Sequence, residues 1–304
     1  MGASVASDDL NPDDSLEYHQ GWFSFCWSND FLYKTDYYYS NGLSISLDGM
    51  FMQRSPFNKI LLPHTKDSQI WYGLTLVQDF FTPVDIYSDS IQYGDRPYAS
   101  VIMLGNRKII QDRIRRLEIR SEISVGIIGR FSGGQYMQNG IHWILWTSTP
   151  AAGWEHQIGT DLCINYLAGI HKEILNLKYL SLDIGLNARL GIPYTDISPA
   201  AELKLGVFND PYINRGIRDK TWQAFIHGRF EGRFALYNAT IQGGLINNDS
   251  PYTTDIIHYV YGLNTGLTIS YNNLSLGIDY QWISPEFEGG LNHRWSSLRF
   301  GVGF

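Results

Sequence analysis

The sequence has little charge, little cysteine and no long apolar run, and each shortage excludes a class of protein. Charged residues make up only 17% of the 304 residues, and the net charge of −7 comes without any run of Lys and Arg. Nucleic acid is therefore not expected as a partner. No segment approaches the roughly 18–20 consecutive apolar residues of a membrane-spanning helix. The two cysteines, Cys26 and Cys163, lie far apart and are interpreted as packing residues rather than a disulfide or a metal site.

The first residues are polar and acidic and lack the apolar core of a signal peptide. We therefore expect a flexible polar segment over 1–19. A single domain is expected to follow over 20–304.

Aromatic residues and glycine are abundant, with 20 Tyr, 9 Trp and 30 Gly, and apolar residues alternate with polar ones over long stretches. In 274–282, Leu274 and Ile278 fall on one face of a strand, whereas Ser275 and Asp279 fall on the other. The same alternation runs through 117–127, 180–190 and 222–234. Alternation over about 9–11 residues has the length of a tilted strand that crosses a bilayer.

A soluble β-sandwich also alternates, but three features favour an outer-membrane barrel. The segments exceed the usual strand length of about five or six residues. Tyr and Trp gather near the segment ends, as they do at membrane interfaces. The chain also ends on an alternating segment, WSSLRFGVGF, which is typical of bacterial outer-membrane barrels.

The segments number twelve, an even number, as single-chain barrels require. They are approximately 20–29, 40–52, 68–81, 97–108, 113–128, 158–172, 177–191, 197–208, 221–236, 254–271, 273–284 and 293–304. The prediction is an all-β fold, a twelve-stranded antiparallel transmembrane β-barrel with both termini on the periplasmic side. Two of the linkers assigned to that side, 53–67 and 209–220, are longer than periplasmic turns usually are.

The polar faces of the predicted strands carry acids and bases in similar numbers, and they are expected to pair inside the barrel. The set is Glu118, Arg120, Glu122, Asp183, Arg189, Glu202, Lys204, Arg229, Glu231, Arg233 and Arg299. A narrow barrel filled with paired charges is closed, which argues against a porin.

The linker between predicted strands 5 and 6, GGQYMQNGIHWILWTSTPAAGW (133–154), has the pattern of a short helix. Gln138 and His142 are four residues apart and share one helical face. Met137, Ile141 and Leu145 form an apolar stripe beside them. Long ordered loops usually carry function, so this helix is a candidate part of a site.

Three other polar groups fall on the same, extracellular side of the predicted barrel. Asn29 and Asp30 end strand 1, Ser40 begins strand 2, and Asp95 with Arg96 precedes strand 4. Each also has a plainer interpretation. The Asn29–Asp30 pair fits a turn, and for Asp95 and Arg96 a structural ion pair is favoured.

Six segments together resemble the outer-membrane lipid A 3′-O-deacylases, twelve-stranded barrels that remove acyl groups from the 3′ position of lipid A. They are SNDFLYKTDYYYSNG (28–42), QDFFTP (78–83), GDRPYAS (94–100), GGQYMQNGIH (133–142), PAAGWEHQI (150–158) and the terminal strand. The resemblance covers almost the whole chain in order.

The resemblance implies a calcium-dependent lipid A ester hydrolase whose general base is His142. Gln138, Asn29 and Ser40 would belong to the catalytic set, and Asp30 with Asn29 would hold a divalent cation, for which calcium is expected. In this scheme His142 deprotonates a water molecule, and the cation near Asp30 stabilises the oxyanion. Lipid A, or lipopolysaccharide, would be the substrate of a monomeric enzyme in the bacterial outer membrane, with its site on the extracellular side.

Two features depart from the family pattern. Ser40 occupies a position where the family often has Thr, and it keeps the hydroxyl. Residues 82–95, TPVDIYSDSIQYGD, contain no lysine, although some family members have one in this loop.

Alternatives to this scheme remain open. No GxSxG motif supports a serine nucleophile, so that mechanism is the less favoured one. The competing functions are a non-catalytic narrow barrel, for transport or structure, and an outer-membrane phospholipase.

Overall fold

The structure is a computed structural model, and it describes residues 21–33, 35–64, 68–145, 150–212, 219–247 and 249–304. Within these ranges twelve strands form one closed antiparallel barrel, in which each strand pairs with its neighbours in sequence and β1 pairs with β12. The strands are β1 (Gly21–Asn29), β2 (Tyr38–Gly49), β3 (Gln69–Thr82), β4 (Ala99–Asp112), β5 (Leu117–Ile128), β6 (Asp161–Leu177), β7 (Leu180–Gly191), β8 (Tyr194–Val207), β9 (Asp219–Asn238), β10 (Tyr259–Asn272), β11 (Leu274–Ile283) and β12 (His293–Gly303). The predicted fold is confirmed. The predicted flexible segment 1–19 lies outside the described residues.

Two α-helices accompany the described strands: α1 (Gly134–Leu145), between β5 and β6, and α2 (Ala239–Gln242), after β9. The helix expected between strands 5 and 6 is therefore present. Among the helices of the described ranges, none has the length and apolar character needed to cross a membrane. We call the end of the barrel where α1 lies the α1 end, and the end where β1 begins the opposite end.

The alternating pattern places apolar side chains on the outside of the barrel and charged ones in the lumen. On β7, Ile184, Leu186 and Leu190 are exposed on the outer face. Arg189, on the other face, makes an ion pair with Asp196 of β8. An apolar surface that faces outward instead of into a core is what a lipid environment favours.

The lumen charges pair as the sequence predicts. The pairs include Arg107–Asp48, Arg120–Glu118, Arg189–Asp196, Lys204–Asp183, Arg229–Glu231 and Arg299–Asp279. Each pair joins the same strand or strands close together in the sheet, so the charges hold the wall together from inside. The thiols of Cys26 and Cys163 are free.

The linker between β2 and β3, which the sequence shows to be longer than a usual periplasmic turn, is an ordered segment. It contains 3-10 helices at Met50–Arg54 and Pro56–Lys59 and folds back along the outer wall of the barrel. The Asn106 side chain of β4 donates a hydrogen bond to Asn58 at 3.0 Å. The ammonium of Lys108 donates to the Leu62 carbonyl at 2.7 Å. We call residues 50–62 the linker cover.

A second segment lies over the same wall at the α1 end. It consists of residues 130–145 and 150–158, including α1, and we call it the helix cover. Gln78 of β3 donates its side-chain amide to the Ser132 carbonyl at 2.6 Å. Phe80 of β3 packs against Trp154, with ring centroids 6.1 Å apart. Gln78 and Phe80 flank Asp79, which lines a lumen cavity, so both point outward from the barrel.

Candidate active site under the helix cover

The apolar stripe of α1 fixes the helix to the barrel wall. Met137 and Ile141 pack against a buried cluster formed by Phe80, Ile86, Tyr98, Ala151 and Trp154. Both belong to the stripe that the sequence predicts, because residues four apart share a helical face. The Leu145 side chain is outside the described part of the structure. This packing places the polar neighbour of the stripe, Gln138, between helix and wall.

Gly134 lets α1 begin unusually close to the wall. A Cβ atom at this position would lie 2.4 Å from the Ser100 Cβ and 2.8 Å from the ring of Trp154. Any larger residue would therefore push the first turn of α1 away from β4. The close approach accounts for glycine here.

Gln138 lies in a chain of hydrogen bonds that leads from the helix cover to the barrel rim. Its side chain is 1% exposed. The indole of Trp154 donates to the Gln138 Oε1 atom at 2.7 Å, and the Gln138 Nε2 atom donates to Asp36 Oδ1 at 3.2 Å. The amide is thus held from two sides, which fixes its orientation.

Asp36 lies at the centre of the candidate site. Its Oδ1 atom accepts hydrogen bonds from Gln138 and from the hydroxyl of Ser40. Ser40 is 2% exposed and lies at an irregularity in the pairing of β2 with β3, between Tyr39 and Asn41. The irregularity turns Ser40 towards Asp36, whereas Tyr39 donates to Asp79 on the lumen side at 2.8 Å.

Asp30 is a second buried carboxylate near Asp36. Its Oδ2 atom accepts from the Thr35 hydroxyl at 2.9 Å and from the backbone amide of Tyr37 at 3.2 Å, and only 2% of its surface is exposed. Burial, followed by the negative charge of Asp36, raises the pKa of Asp30 to about 8. A carboxyl group with such a pKa is protonated at neutral pH unless a positive charge binds beside it.

The structure brings together most of the side chains that the sequence selects. Gln138 and Ser40 meet on Asp36, and Asn29 donates its side-chain amide to the Ser40 carbonyl at 2.9 Å. The His142 side chain lies outside the described part of the structure, although its backbone belongs to α1. Its position on the helix is four residues after Gln138.

Asp36 and Trp154 are the residues of this arrangement that the sequence analysis did not select. Asp36 stands in the stretch TDYYYSNG, and Trp154 stands in PAAGWEHQI. Both lie within segments used for the family resemblance. No periodicity or spacing singles either of them out. Gln138, which contacts both, lies 102 residues from Asp36 and 16 from Trp154.

The segments that form the site also carry exposed aromatic and apolar side chains. Trp143 of α1 is 79% exposed, so it does not pack against the barrel. Phe131, Tyr136 and Leu32 are also exposed. Trp146 lies outside the described residues, as does the Ile144 side chain. Apolar side chains on the segments of a polar site suit a substrate with acyl chains.

The donor atoms at the site suit a hard cation. Among the described residues, no three His, Cys, Asp or Glu side chains gather into a metal-binding group. Asp30 and Asp36 nevertheless bring two carboxylates close together, with the hydroxyl of Ser40 nearby. Oxygen donors of this kind are those that Ca²⁺ prefers. A cation would also relieve the repulsion that raises the pKa of Asp30.

The GDRPY segment has the structural role that the sequence favours. Arg96 is 1% exposed and makes an ion pair with Glu286 at 2.8 Å. It also donates to the Thr240 hydroxyl at 2.7 Å, while Asp95 accepts from the backbone amide of Val84 at 2.7 Å. These contacts tie together the loops at the α1 end.

The lysine-free loop 83–98 packs on the helix cover. The backbone amide of Ala152 donates to the Ile86 carbonyl at 2.8 Å, and His156 Nε2 lies 2.9 Å from the Asp89 carbonyl oxygen. The loop thus supports Trp154. Its cationic side chain, Arg96, is buried and paired with Glu286, so it does not take the place of the missing lysine at the surface.

Comparisons with solved structures identify the barrel type. LpxR from Salmonella typhimurium is similar over 93% of this chain and all of its own, with 18% identity and a TM-score of 0.74. The translocator domain of the Neisseria meningitidis autotransporter NalP gives a TM-score of only 0.45, with 11% identity over 96% of this chain and 90% of its own. No curated protein sequence matches significantly.

The family comparison covers almost the entire chain. The family described as outer membrane protein LpxR matches residues 2–304. This match agrees with the twelve-stranded barrel, its single helix between β5 and β6, and the resemblance found in the sequence. The chain therefore belongs to the LpxR family of outer membrane proteins.

Proposed function

We propose that the protein is a lipid A 3′-O-deacylase that hydrolyses the 3′ acyl ester at the site under the helix cover. Family membership and the ordered set of shared motifs support the substrate class. The site is proposed to face the extracellular side, where lipid A occupies the outer leaflet. A monomer suffices, since all the proposed groups come from one chain.

One observation carries the proposal: the buried polar cluster lies on the outside of the barrel wall. Asp36 receives hydrogen bonds from Ser40 and from Gln138, and Gln138 is held by Trp154 beside the outward-facing Phe80. A lipid ester lies near the boundary between headgroups and acyl chains. A site on the outer wall can receive such an ester from the side, while its chains remain in the membrane.

In the proposed mechanism His142 is the general base that takes a proton from the attacking water. Residues four apart share a helical face, so His142 belongs to the same face of α1 as Gln138. An imidazole titrates near neutral pH and is suited to this step. Gln138 is a positioning residue, because its hydrogen bond to Asp36 fixes α1 over the rim.

Asp30, Asp36 and neighbouring oxygen donors would hold the cation. When bound, a divalent cation there would supply positive charge that stabilises the negative oxygen developing on the ester carbonyl. Asp30 must lose its proton to serve as a ligand, which its raised pKa makes dependent on pH.

A second mechanism gains some support from the structure. The Ser40 hydroxyl donates directly to the Asp36 carboxylate, so Ser40 has a basic partner that the sequence did not reveal. In this alternative Ser40 would attack the ester and form an acyl-enzyme. The water mechanism remains preferred because Ser40 is almost completely buried.

Mass spectrometry of lipid A tests the proposed activity. After incubation with the purified protein and calcium, lipid A should lose the mass of its 3′ acyl or acyloxyacyl group. An unchanged spectrum with ample calcium would contradict the proposal. A parallel panel of labelled glycerophospholipids would reveal a phospholipase, and conductance in planar bilayers would reveal a transport barrel.

A further inference from the structure

Three polar side chains of the outer wall are buried beneath the linker cover. Arg107 of β4 pairs with Asp48 in the lumen, so its neighbours Asn106 and Lys108 point outward. Asn106, Lys108 and Ser121 of β5 are 6%, 4% and 1% exposed. Each makes a hydrogen bond to the linker cover. Asn106 donates to Asn58, Lys108 donates to the Leu62 carbonyl, and Ser121 accepts from the Leu62 amide at 3.2 Å.

The part of the linker cover around Asn58 and Ile60 reaches the depth of the apolar band of the barrel. Asn106 pairs with Ile123 of β5, which pairs with Tyr166 of β6. The Tyr166 hydroxyl donates to the Ile60 carbonyl at 3.1 Å. On the same outward face of β6, Ile164 and Ile170 are 61% and 46% exposed on either side of Tyr166. The linker cover therefore reaches a level where the uncovered wall presents aliphatic side chains to lipid.

The outer surface of the linker cover combines apolar and basic side chains. Met50, Phe51, Phe57 and Ile60 are each more than half exposed. Arg54 and Lys59 are exposed on the same short segment. Among the described residues, neither base makes an ion pair. Four large apolar groups exposed in one segment, with two bases between them, match the composition of segments that lie at a membrane surface.

We propose that the linker cover is a binding surface for an anionic glycerophospholipid in the leaflet at the opposite end of the barrel. Arg54 and Lys59 contact the lipid phosphate, and Met50, Phe51, Phe57 and Ile60 pack against its acyl chains. The underlying Asn106, Lys108 and Ser121 hold the surface in place. If the proposed lipid A site faces outward, this leaflet is the periplasmic one; the lipid contact itself does not depend on that activity.

Native mass spectrometry tests the headgroup contact. The protein is reconstituted in mixtures of phosphatidylglycerol and phosphatidylethanolamine. It is then released from the bilayer, and the lipid molecules that remain bound to it are counted. The double variant Arg54→Gln/Lys59→Gln should weaken the preference for phosphatidylglycerol about 30-fold, since each base near an anionic surface contributes about 1 kcal/mol. Lys178→Gln, a base at the same end in the β6–β7 turn, is the matched control and should leave the preference unchanged.

Equal retention of phosphatidylglycerol by wild type and the double variant would overturn the headgroup contact. An equally large loss in Lys178→Gln would overturn its location, because any base at that end would then act alike. Both substituted side chains are exposed, so the variants are expected to fold. Lipid A is absent from this experiment, which keeps its result separate from that of the deacylation assay.

A depth measurement tests the apolar contact independently. A fluorescent probe on Phe57→Cys, in a Cys26→Ser background, should be quenched by spin-labelled acyl chains of the bilayer. Cys163 is 1% exposed and is not expected to react with the probe. Quenching only by a water-soluble quencher would place the segment in solvent and overturn the proposal.

Discussion

The helix cover and the linker cover lie on the same outer wall, yet their buried polar groups differ in kind. Under the linker cover, Lys108 donates to a carbonyl and Asn106 donates to an amide oxygen, so each contact joins a donor to a neutral acceptor. The Asn106 Oδ1 atom is buried without a partner among the described residues. Under the helix cover, the carboxylates of Asp30 and Asp36 lie close together, and burial with their repulsion raises the pKa of Asp30 to about 8.

The hydrogen bonds under the linker cover are typical of a structural contact, whereas the paired carboxylates under the helix cover are typical of a functional site. Hydrogen bonds from donors to neutral acceptors stabilise a segment and bring no like charges together. Two buried carboxylates are costly unless a cation or a proton joins them, and such groups cluster at functional sites. This difference is consistent with the proposals that the site under the helix cover carries the chemistry and that the linker cover contacts lipid.

Replacement of the proposed base should give the largest effect. His142→Ala is expected to lower kcat for lipid A deacylation about 10²–10⁴-fold, the usual contribution of a general base. Asn58→Ala, which loosens only the linker cover, serves as the control and should retain kcat. Full activity of the His142→Ala enzyme in the mass-spectrometric assay would show that His142 is not the general base.

The pH dependence of calcium binding tests the raised pKa of Asp30. Below pH 8 the carboxyl holds a proton that binding must displace, so affinity should fall as pH falls and level off above pH 8. Between pH 9 and pH 6 the loss should be about 100-fold, with about one proton released per ion at pH 6. Calorimetry in buffers of different ionisation enthalpy measures that release. Asp30→Asn should abolish it, and a wild-type protein that releases no proton would contradict the assignment.

In the cation-free protein the same carboxyl affects stability with a definite sign. Its folded pKa of about 8 exceeds the ordinary value of 3.8, so the folded state holds the additional proton between these values. Stability should therefore decrease as pH rises from about 4 through 8. Calcium should reduce this decrease, because the ion stabilises the ionised form.

Ser40 variants distinguish the two mechanisms. If Ser40 only positions Asp36, Ser40→Ala should lower kcat about tenfold, equivalent to one hydrogen bond to a charged group. Ser40→Thr keeps the hydroxyl and should retain most of the activity. Intact-protein mass spectrometry should detect no acyl adduct during turnover. Complete loss in Ser40→Ala, together with a trapped adduct on the wild type, would establish the serine mechanism instead.

The smallest effect is expected under the linker cover. Lys108→Met removes the hydrogen bond to Leu62 but leaves an apolar chain of similar length, so the free energy of unfolding should fall by about 1 kcal/mol. Deacylation should be unchanged. Urea unfolding in lipid vesicles measures the first quantity and lipid A mass spectrometry the second. A reduced kcat would show that the two covers are coupled.

Much of the barrel was predictable because each strand faces lipid on one side and the polar lumen on the other. Apolar and polar residues therefore alternate along it. The same alternation explains why Arg189 and Arg229 pair in the lumen. The α1 helix was predictable because Met137 and Ile141 have helical spacing. Asp36 was not, because tertiary packing brings Gln138 to it, and its local contact with Ser40 depends on a strand irregularity that the sequence pattern does not reveal.

The course of the linker cover also escaped prediction, although the sequence carried a signal for it. Asn106 and Lys108 interrupt the apolar face of β4, where lipid contact would disfavour polar groups. That interruption predicts a covering segment but does not identify which one. Only the fold shows that residues 50–62 supply it.

We expect catalysis at the site between the helix cover and the barrel rim and not at the linker cover, and one paired measurement tests this most directly. Gln138 and Asn106 each donate a side-chain amide that ties a cover to the wall. In a time course of lipid A mass spectra, Gln138→Ala should slow loss of the 3′ acyl group at least about tenfold, whereas Asn106→Ala should match the wild type. Equal rates for the two variants would contradict the location of the site under the helix cover, and no acyl loss by the wild type would contradict the proposed deacylation.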